Sequence, residues 1–200
     1  MQLPRRKTLT RLAAAALLGL VGVGAMFWAA RTLQRDARLG KALEAADHEM
    51  HHGSASRAEK TLLDALRESP GALSARDMLA NIYALEHRKK DAYEQWRLGV
   101  KYNPRDAEAH YCLGMAYWID KRYRDAIGVL EQARSVGRDH VTARNLLARC
   151  YWRGGQIEKA AAEFSSILAD YPGNPGAMAG IRALKREMSR KKAPARQRED

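Results

Sequence analysis

Cysteine is scarce in this chain, with two among 200 residues, so a small fold held together by several disulfides is excluded. The sequence also lacks a glycine-rich phosphate-binding loop and the Gly-x-Ser-x-Gly pattern of serine hydrolases. Long apolar runs are missing except near the N-terminus, in keeping with a mean hydropathy of −0.51. The informative features are therefore that one run and the pattern of the remaining chain.

Positive charge is concentrated at the two ends of the chain. Of the net charge of +12, residues 1–38 contribute +6 and residues 175–200 contribute +5, which leaves +1 for residues 39–174. A nucleic-acid-binding domain normally presents clustered cations on a folded face. The sequence therefore predicts no nucleic-acid partner.

The uncharged run covers residues 12–30, with the sequence LAAAALLGLVGVGAMFWAA. As a helix it would extend about 28 Å, enough to cross the hydrocarbon core of a bilayer. A basic tail, residues 1–11, precedes it, and a helical connector, residues 31–38, follows. The pattern predicts a single-pass, N-terminal transmembrane helix, with the rest of the chain on the non-cytoplasmic side, the periplasm in a bacterium. A cleaved secretory signal is the alternative, because Val23-Gly24-Ala25 offer small residues for cleavage.

Residues 39–174 repeat with a period of 34 residues, in the units 39–72, 73–106, 107–140 and 141–174. Position 8 of each unit holds a small residue: Ala46, Ala80, Gly114 and Ala148. Position 20 is always alanine: Ala58, Ala92, Ala126 and Ala160. Three units have tyrosine at position 11, namely Tyr83, Tyr117 and Tyr151, and three have proline at position 32, namely Pro70, Pro104 and Pro172. Positions 4, 7, 8 and 11 share one helical face, as do 20, 24 and 27, so each unit is predicted to form two amphipathic helices.

This pattern resembles the tetratricopeptide repeat over about two-thirds of the chain. The resemblance implies an all-α solenoid of four helix-turn-helix units. Two departures stand out. Glu49 replaces the tyrosine of the first unit, and position 4, commonly tryptophan in the family, is Ala42, Arg76, His110 and Arg144 here. We expect the absence of tryptophan at position 4 to weaken the packing between helices.

The segment after the repeats is predicted to close the solenoid. Residues 175–190 place Met178, Ile181, Leu184 and Met188 at helical spacing, with charges between them, which is typical of a polar capping helix. Residues 191–200 have no apolar periodicity and are predicted to be a disordered basic tail.

A short metal-binding pattern occurs in the first unit. His48-Glu49-Met50-His51-His52 satisfies the His-Glu-x-x-His pattern, in which two histidines one turn apart bind zinc and the glutamate activates water. A zinc-dependent hydrolase or a metal-binding protein is therefore an alternative function. The pattern lies in a repeat helix and has no evident third ligand, so a solvated helix end is favoured, with no metal and no cofactor.

The two cysteines, Cys112 and Cys150, are 38 residues apart, which places them on neighbouring first helices. Two buried free thiols are favoured over a disulfide between them.

The family resemblance also implies a binding groove lined by first-helix residues. In this sequence the corresponding residues are Asp77, Asn81, Glu108, Tyr111, Met115, Trp118, Asn145, Arg149, Trp152 and Arg153. Trp118 and Trp152 occupy the same repeat position, which suggests an aromatic surface with arginines beside it. The alternative is that both tryptophans pack between units or against the capping helix.

These observations predict a membrane-anchored, non-enzymatic adaptor or assembly scaffold. Its partner is expected to be a protein, bound through a peptide or helix in the groove. A self-associating structural protein, forming an oligomer of identical chains, is a further alternative.

Overall fold

The computed structural model describes the backbone of residues 6–192 and the side chains of residues 22 and 24–190. Within these ranges every regular element is a helix and no strand is present, which confirms the predicted all-α class. The helices are α1 (Arg6–His51), α2 (Ala55–Glu68), α3 (Leu73–Leu85), α4 (Lys89–Tyr102), α5 (Ala107–Ile119), α6 (Tyr123–Val136), α7 (Val141–Arg153), α8 (Ile157–Asp170) and α9 (Pro175–Lys192). The chain divides into two units, Met1–Pro70 and Gly71–Asp200.

The prediction of a transmembrane helix over residues 12–30 is wrong. α1 begins at Arg6 and runs through the predicted connector to His51. No helix in the described part of the chain combines the length and apolarity of a membrane span, so the single-pass localisation is overturned. The side chains of residues 1–21 and 23 lie outside the described residues.

In the first unit, the C-terminal part of α1 packs against α2. Ala46 and Ala58, the small residues of repeat positions 8 and 20, are fully buried, and Leu62 and Leu66 of α2 are buried beside them. Glu49 accepts a hydrogen bond from the Thr61 hydroxyl at 3.1 Å. The carboxylate that replaces the usual tyrosine is thus held by a polar contact to the next helix.

In the larger of these two units, Gly71–Asp200, α3–α4, α5–α6 and α7–α8 form three helical hairpins. Their position-8 and position-20 residues are buried, which lets the two helices of each hairpin approach closely. Gly114 shows how close this approach is, because a Cβ there would lie 2.6 Å from Leu130. The repeat periodicity therefore corresponds to real interhelical crossings.

A left-handed residue marks the turn of every hairpin, always at repeat position 15. It is Gly53 (φ 69°), His87 (φ 60°), Lys121 (φ 58°) or Gly155 (φ 79°). In each turn the next N–H donates to the carbonyl at position 11, as in Arg122 to Tyr117 at 2.9 Å. This bond satisfies a terminal carbonyl of the first helix and ends it in a Schellman-type turn.

In the three repeats of the Gly71–Asp200 unit, repeat position 4 is polar, yet the side chains at this position are buried and hydrogen-bonded. Arg76 donates to Gln95 at 2.9 Å, and a nitrogen of His110 lies 3.0 Å from the Pro104 carbonyl oxygen. The third such residue, Arg144, forms ion pairs with Glu163 and Asp170. The expected loss of packing is therefore replaced by specific polar contacts.

α9 covers the end of the last hairpin. Of its predicted apolar face only Leu184 is fully covered, whereas Met188 is 46% exposed. Ala177 and Gly180 complete the buried face instead, because the Phe164 ring packs directly against the Gly180 backbone. Residues 193–200 of the predicted tail lie outside the described residues, as do the side chains at 191 and 192.

Candidate binding cleft

A cleft of about 440 Å³ opens between α3, α4 and α5, within the Gly71–Asp200 unit. α3 contributes Asp77, Asn81 and Ala84, α4 contributes Lys89, Ala92, Tyr93 and Trp96, and the α5 region contributes Glu108, Tyr111, Cys112, Met115, Ala116, Ile119 and Asp120. We call this concavity the α3–α5 cleft. Its volume is within the range of about 300–1,000 Å³ that is common for ligand-binding pockets.

Five residues of the predicted groove meet in this cleft: Asp77, Asn81, Glu108, Tyr111 and Met115. They lie on two first helices, as the family resemblance implies. Their assignment to binding stays a prediction, but their convergence on one concavity is a structural fact.

Trp118 and Arg149 lie beside the cleft, outside its lining. The Arg149 guanidinium lies 4.8 Å from the centre of the Trp118 ring, and the Tyr123 ring lies 5.3 Å from it. Trp118 is half-buried and Arg149 is exposed. This cation–π stack joins the third and fourth repeat units and leaves one face of the guanidinium open.

Trp152 contacts the capping helix. Its indole N–H donates to Glu187 of α9 at 2.6 Å, and the Arg153 guanidinium lies 5.7 Å from its ring centre. Asn145 is also engaged, since its amide donates to the Val141 carbonyl and to Asn174. These three predicted groove residues therefore lie apart from the cleft, in the last repeat and its contact with α9.

Hydrogen bonds fix the carboxylates of the cleft. Asp77 accepts from the Trp96 indole at 2.9 Å and from the Asn81 amide at 3.2 Å. Glu108 accepts from Nε2 of His140 at 2.6 Å. Both Asp77 and Glu108 thus have fixed orientations before any ligand arrives.

Asp120 differs because a cation lies next to it. Lys89 donates to it at 2.8 Å, and the Tyr93 hydroxyl donates at 3.1 Å. The hydrogen bond from Lys89, with that from Tyr93, lowers the pKa of Asp120. Burial and the bond to Asp120 raise the pKa of Tyr93 to about 12.

The free thiols predicted from the sequence are present, although only Cys150 is fully buried. Cys112 is half-buried in the cleft, with its sulfur 3.7 Å from Glu108. Burial, followed by the charges of Asp77 and Glu108, raises the pKa of Cys112, so this thiol is a poor nucleophile at neutral pH.

The contribution of α4 was not predicted from the sequence, because the predicted groove lies on first helices alone. Tyr93 and Trp96 form one wall of the cleft. Trp96 is at repeat position 24, where the other units have Leu62, Leu130 and Phe164. A buried indole needs a hydrogen-bond acceptor, so tryptophan at this otherwise apolar position was a signal for the nearby Asp77.

The histidine cluster does not form a metal centre in the structure. The rings of His48 and His52 are in edge contact, with centroids 4.2 Å apart, while Glu49 bonds to Thr61. The described residues contain no group of three or more histidine, cysteine or acidic side chains placed to hold a metal ion. Nothing in this geometry supports the zinc-hydrolase alternative.

The tetratricopeptide repeat family model matches residues 121–175. No curated protein matches the chain in sequence. Among solved structures, Pseudomonas aeruginosa pilF is 22% identical, with 82% of this chain and 74% of that chain covered and a TM-score of 0.65. YrrB, described as a TPR protein with an unusual peptide-binding site, is 17% identical, with 76% and 78% covered and a TM-score of 0.58.

A third similar structure is the second TPR domain of human RPAP3 in complex with an HSP70 peptide. It is 21% identical, covers 55% of this chain and 92% of that chain, and has a TM-score of 0.50. At these identities the likeness concerns the fold alone. Residues 121–175 thus match the tetratricopeptide-repeat family model, and the described part of the chain shares the helical-hairpin fold of these solved structures.

Proposed function

We propose that this chain is a non-enzymatic adaptor that binds a peptide segment of a partner protein in the α3–α5 cleft. Tetratricopeptide-repeat proteins mediate protein–protein interactions, and two structurally similar proteins bind peptides, according to the descriptions of YrrB and RPAP3. The observation that carries the proposal is the cleft itself, a concavity of about 440 Å³ with aromatic and aliphatic walls and oriented polar groups.

The walls of the cleft suit the side chains of a bound segment. Tyr93, Tyr111 and Met115 are only partly buried, and Ile119 is 68% exposed at the rim. Their remaining apolar surface is available for burial against a partner, which drives most protein association. Oriented polar groups next to such surface supply specificity.

The Trp118–Arg149 stack extends this proposed surface towards the fourth repeat. An arginine held over an aromatic ring keeps its edge N–H groups free for a carboxylate or a backbone carbonyl of the partner. Residues beyond the cleft would then contact the same bound segment.

The test is selection of a phage-displayed random 12-residue library on the full chain, with Ala84→Trp as the blocking variant. Ala84 is exposed and lines the cleft, so a large side chain there fills the cleft with little cost in stability. Ala179→Trp, at an exposed alanine of α9, is the matched control. We expect selected peptides to bind the wild type and Ala179→Trp equally and to bind Ala84→Trp at least about tenfold more weakly, as for loss of a central anchor contact of about 1.4 kcal/mol. Failure to enrich any peptide, or equal binding by Ala84→Trp, would refute the cleft as the binding site.

A further inference from the structure

We infer that the segment bound in the α3–α5 cleft is cationic, with a lysine or arginine next to an apolar side chain. This inference rests on the proposed function and specifies its partner. It follows from the charge balance of the cleft, from the way its carboxylates are held, and from the apolar walls beside them.

The charge balance is negative. The cleft contains the carboxylates of Asp77, Glu108 and Asp120 and one cation, Lys89. Lys89 is committed to Asp120, with 2.8 Å between its ammonium nitrogen and the carboxylate oxygen. Asp77 and Glu108 have no cation of their own in the cleft lining, and Arg149, which lies beside the cleft, is stacked on Trp118.

The partners of those two carboxylates orient them but do not neutralise them. An indole and a primary amide, both uncharged, donate to Asp77. The donor to Glu108 is His140, whose Nδ1 accepts from the Ala143 N–H at 3.1 Å. An imidazole that accepts at Nδ1 and donates at Nε2 carries no net charge. His140 therefore orients the Glu108 carboxylate without neutralising it.

The effect of this negative potential is visible on neighbouring groups. After burial, the charge of Glu108 is the next cause that raises the pKa of Tyr111, and it outweighs the Arg149 guanidinium outside the cleft lining, whose charge lowers that pKa. The charges of Asp77 and Glu108 likewise contribute to the raised pKa of Cys112 between them. The negative charge that disfavours ionisation of Tyr111 and Cys112 would favour a lysine or arginine head group beside these two residues.

The apolar walls determine what accompanies the cation. Lysine and arginine carry long aliphatic stems that pack on apolar surface while the charged head remains polar-bonded. Tyr111 and Met115 lie one helical turn apart on α5, on the same face as Glu108. When the aliphatic stem of a bound lysine or arginine packs along Tyr111 and Met115, its charged head group reaches the Glu108 carboxylate. Ile119 at the rim then remains available for a neighbouring apolar side chain of the bound segment.

The experiment repeats the library selection on the full chain with the variant Asp77→Asn/Glu108→Gln. Asparagine and glutamine keep an oxygen that accepts from Trp96 and His140, so the cleft retains its shape, and a thermal melt checks folding. Glu158→Gln, at an exposed glutamate outside the cleft, is the matched control. We expect peptides selected on the wild type and on Glu158→Gln to be enriched in lysine and arginine, and those selected on the double variant to lose this enrichment.

Affinities of the selected peptides give the magnitude. Partly exposed charge pairs change affinity by up to about fivefold each, so we expect the double variant to bind about tenfold more weakly and the wild-type affinity to fall as salt is raised. Changing lysine to glutamate in a selected peptide should have at least the same effect, and it tests the inference even if the protein variant folds poorly.

Two different failures are distinguishable. Cleft-dependent peptides without enrichment in lysine or arginine, or with enrichment in acidic residues, would overturn this inference and leave the proposed function in place. Peptides that bind Ala84→Trp as well as the wild type would overturn both.

Discussion

The ion-pair network around Glu163 gives the strongest stability prediction. One carboxylate oxygen accepts from Arg144 at 2.9 Å and the other from Arg134 at 2.7 Å. The side chains of Glu163 and Arg144 are only 6% and 3% exposed. Arg144 also donates to Asp170 at 2.7 Å, and although burial lowers its pKa, the bonds to Asp170 and Glu163 outweigh that effect and raise the pKa overall.

We expect Glu163→Gln to lower the free energy of unfolding by about 3 kcal/mol. Removing one partner of a buried pair costs about 3–5 kcal/mol, because the other charge stays buried without its counter-ion. The lower end applies because Arg144 keeps Asp170, and because the pair with Arg134, whose side chain is 42% exposed, is worth at most about 1 kcal/mol. For a domain of this size the melting temperature should fall by about 10 °C.

Urea unfolding of the full chain, followed by far-UV circular dichroism, measures this loss. Glu158→Gln on the same helix is the control, and it should cost less than about 1 kcal/mol, the helix-dipole contribution of an exposed glutamate. Replacing Arg144 and Glu163 together by methionine should cost less than Arg144→Met alone. The single variant leaves the buried Glu163 carboxylate with only the partly exposed Arg134, whereas the double variant removes both buried charges. A Glu163→Gln loss no larger than the control, or strictly additive methionine variants, would refute this reasoning.

Three further effects follow from the packing and the pKa values. Gly180→Ala should destabilise the fold by about 1–3 kcal/mol in urea unfolding because its Cβ would meet the Phe164 ring, whereas Gly128→Ala, with nothing within 4 Å, should gain about 0.5–1 kcal/mol. Trp152→Ala should lower the melting temperature, since the half-buried indole bonds to α9. The raised pKa of Tyr93, about 12, means that the unfolded chain loses this proton first, so the free energy of unfolding should fall between about pH 10 and about pH 12, and less so in Tyr93→Phe.

Each of these effects has a contrary outcome. Equal responses of Gly180 and Gly128 to alanine would contradict the close contact with Phe164. An unchanged melt for Trp152→Ala, with weakened peptide binding, would instead favour this ring as a ligand contact, as the groove hypothesis holds. An alkaline titration identical in the wild type and Tyr93→Phe would show that this hydroxyl does not contribute.

The helical hairpins could be predicted because they follow from the local pattern of residues along the chain. The period of 34 residues and the spacing of apolar and small residues indicate helical hairpins, because amphipathicity and close crossing are properties of each helix and its nearest neighbour. The anchor prediction used an equally local signal, an uncharged run, and the structure does not support it. Asp77, Asn81, Glu108, Tyr111 and Met115 could be placed together because repeat positions determine which side of a first helix faces inward.

Contacts between helices were decided by the tertiary structure alone. The sequence showed an arginine at position 144 and a glutamate at position 163, but only the crossing of α7 and α8 makes them a buried pair. Only the packing of α4 beside α3 brings Trp96 to Asp77 and so gives the cleft a wall, a volume and oriented carboxylates. A repeat pattern specifies which face of a helix is buried, whereas the partner of each polar group depends on the angle and separation at which two helices meet.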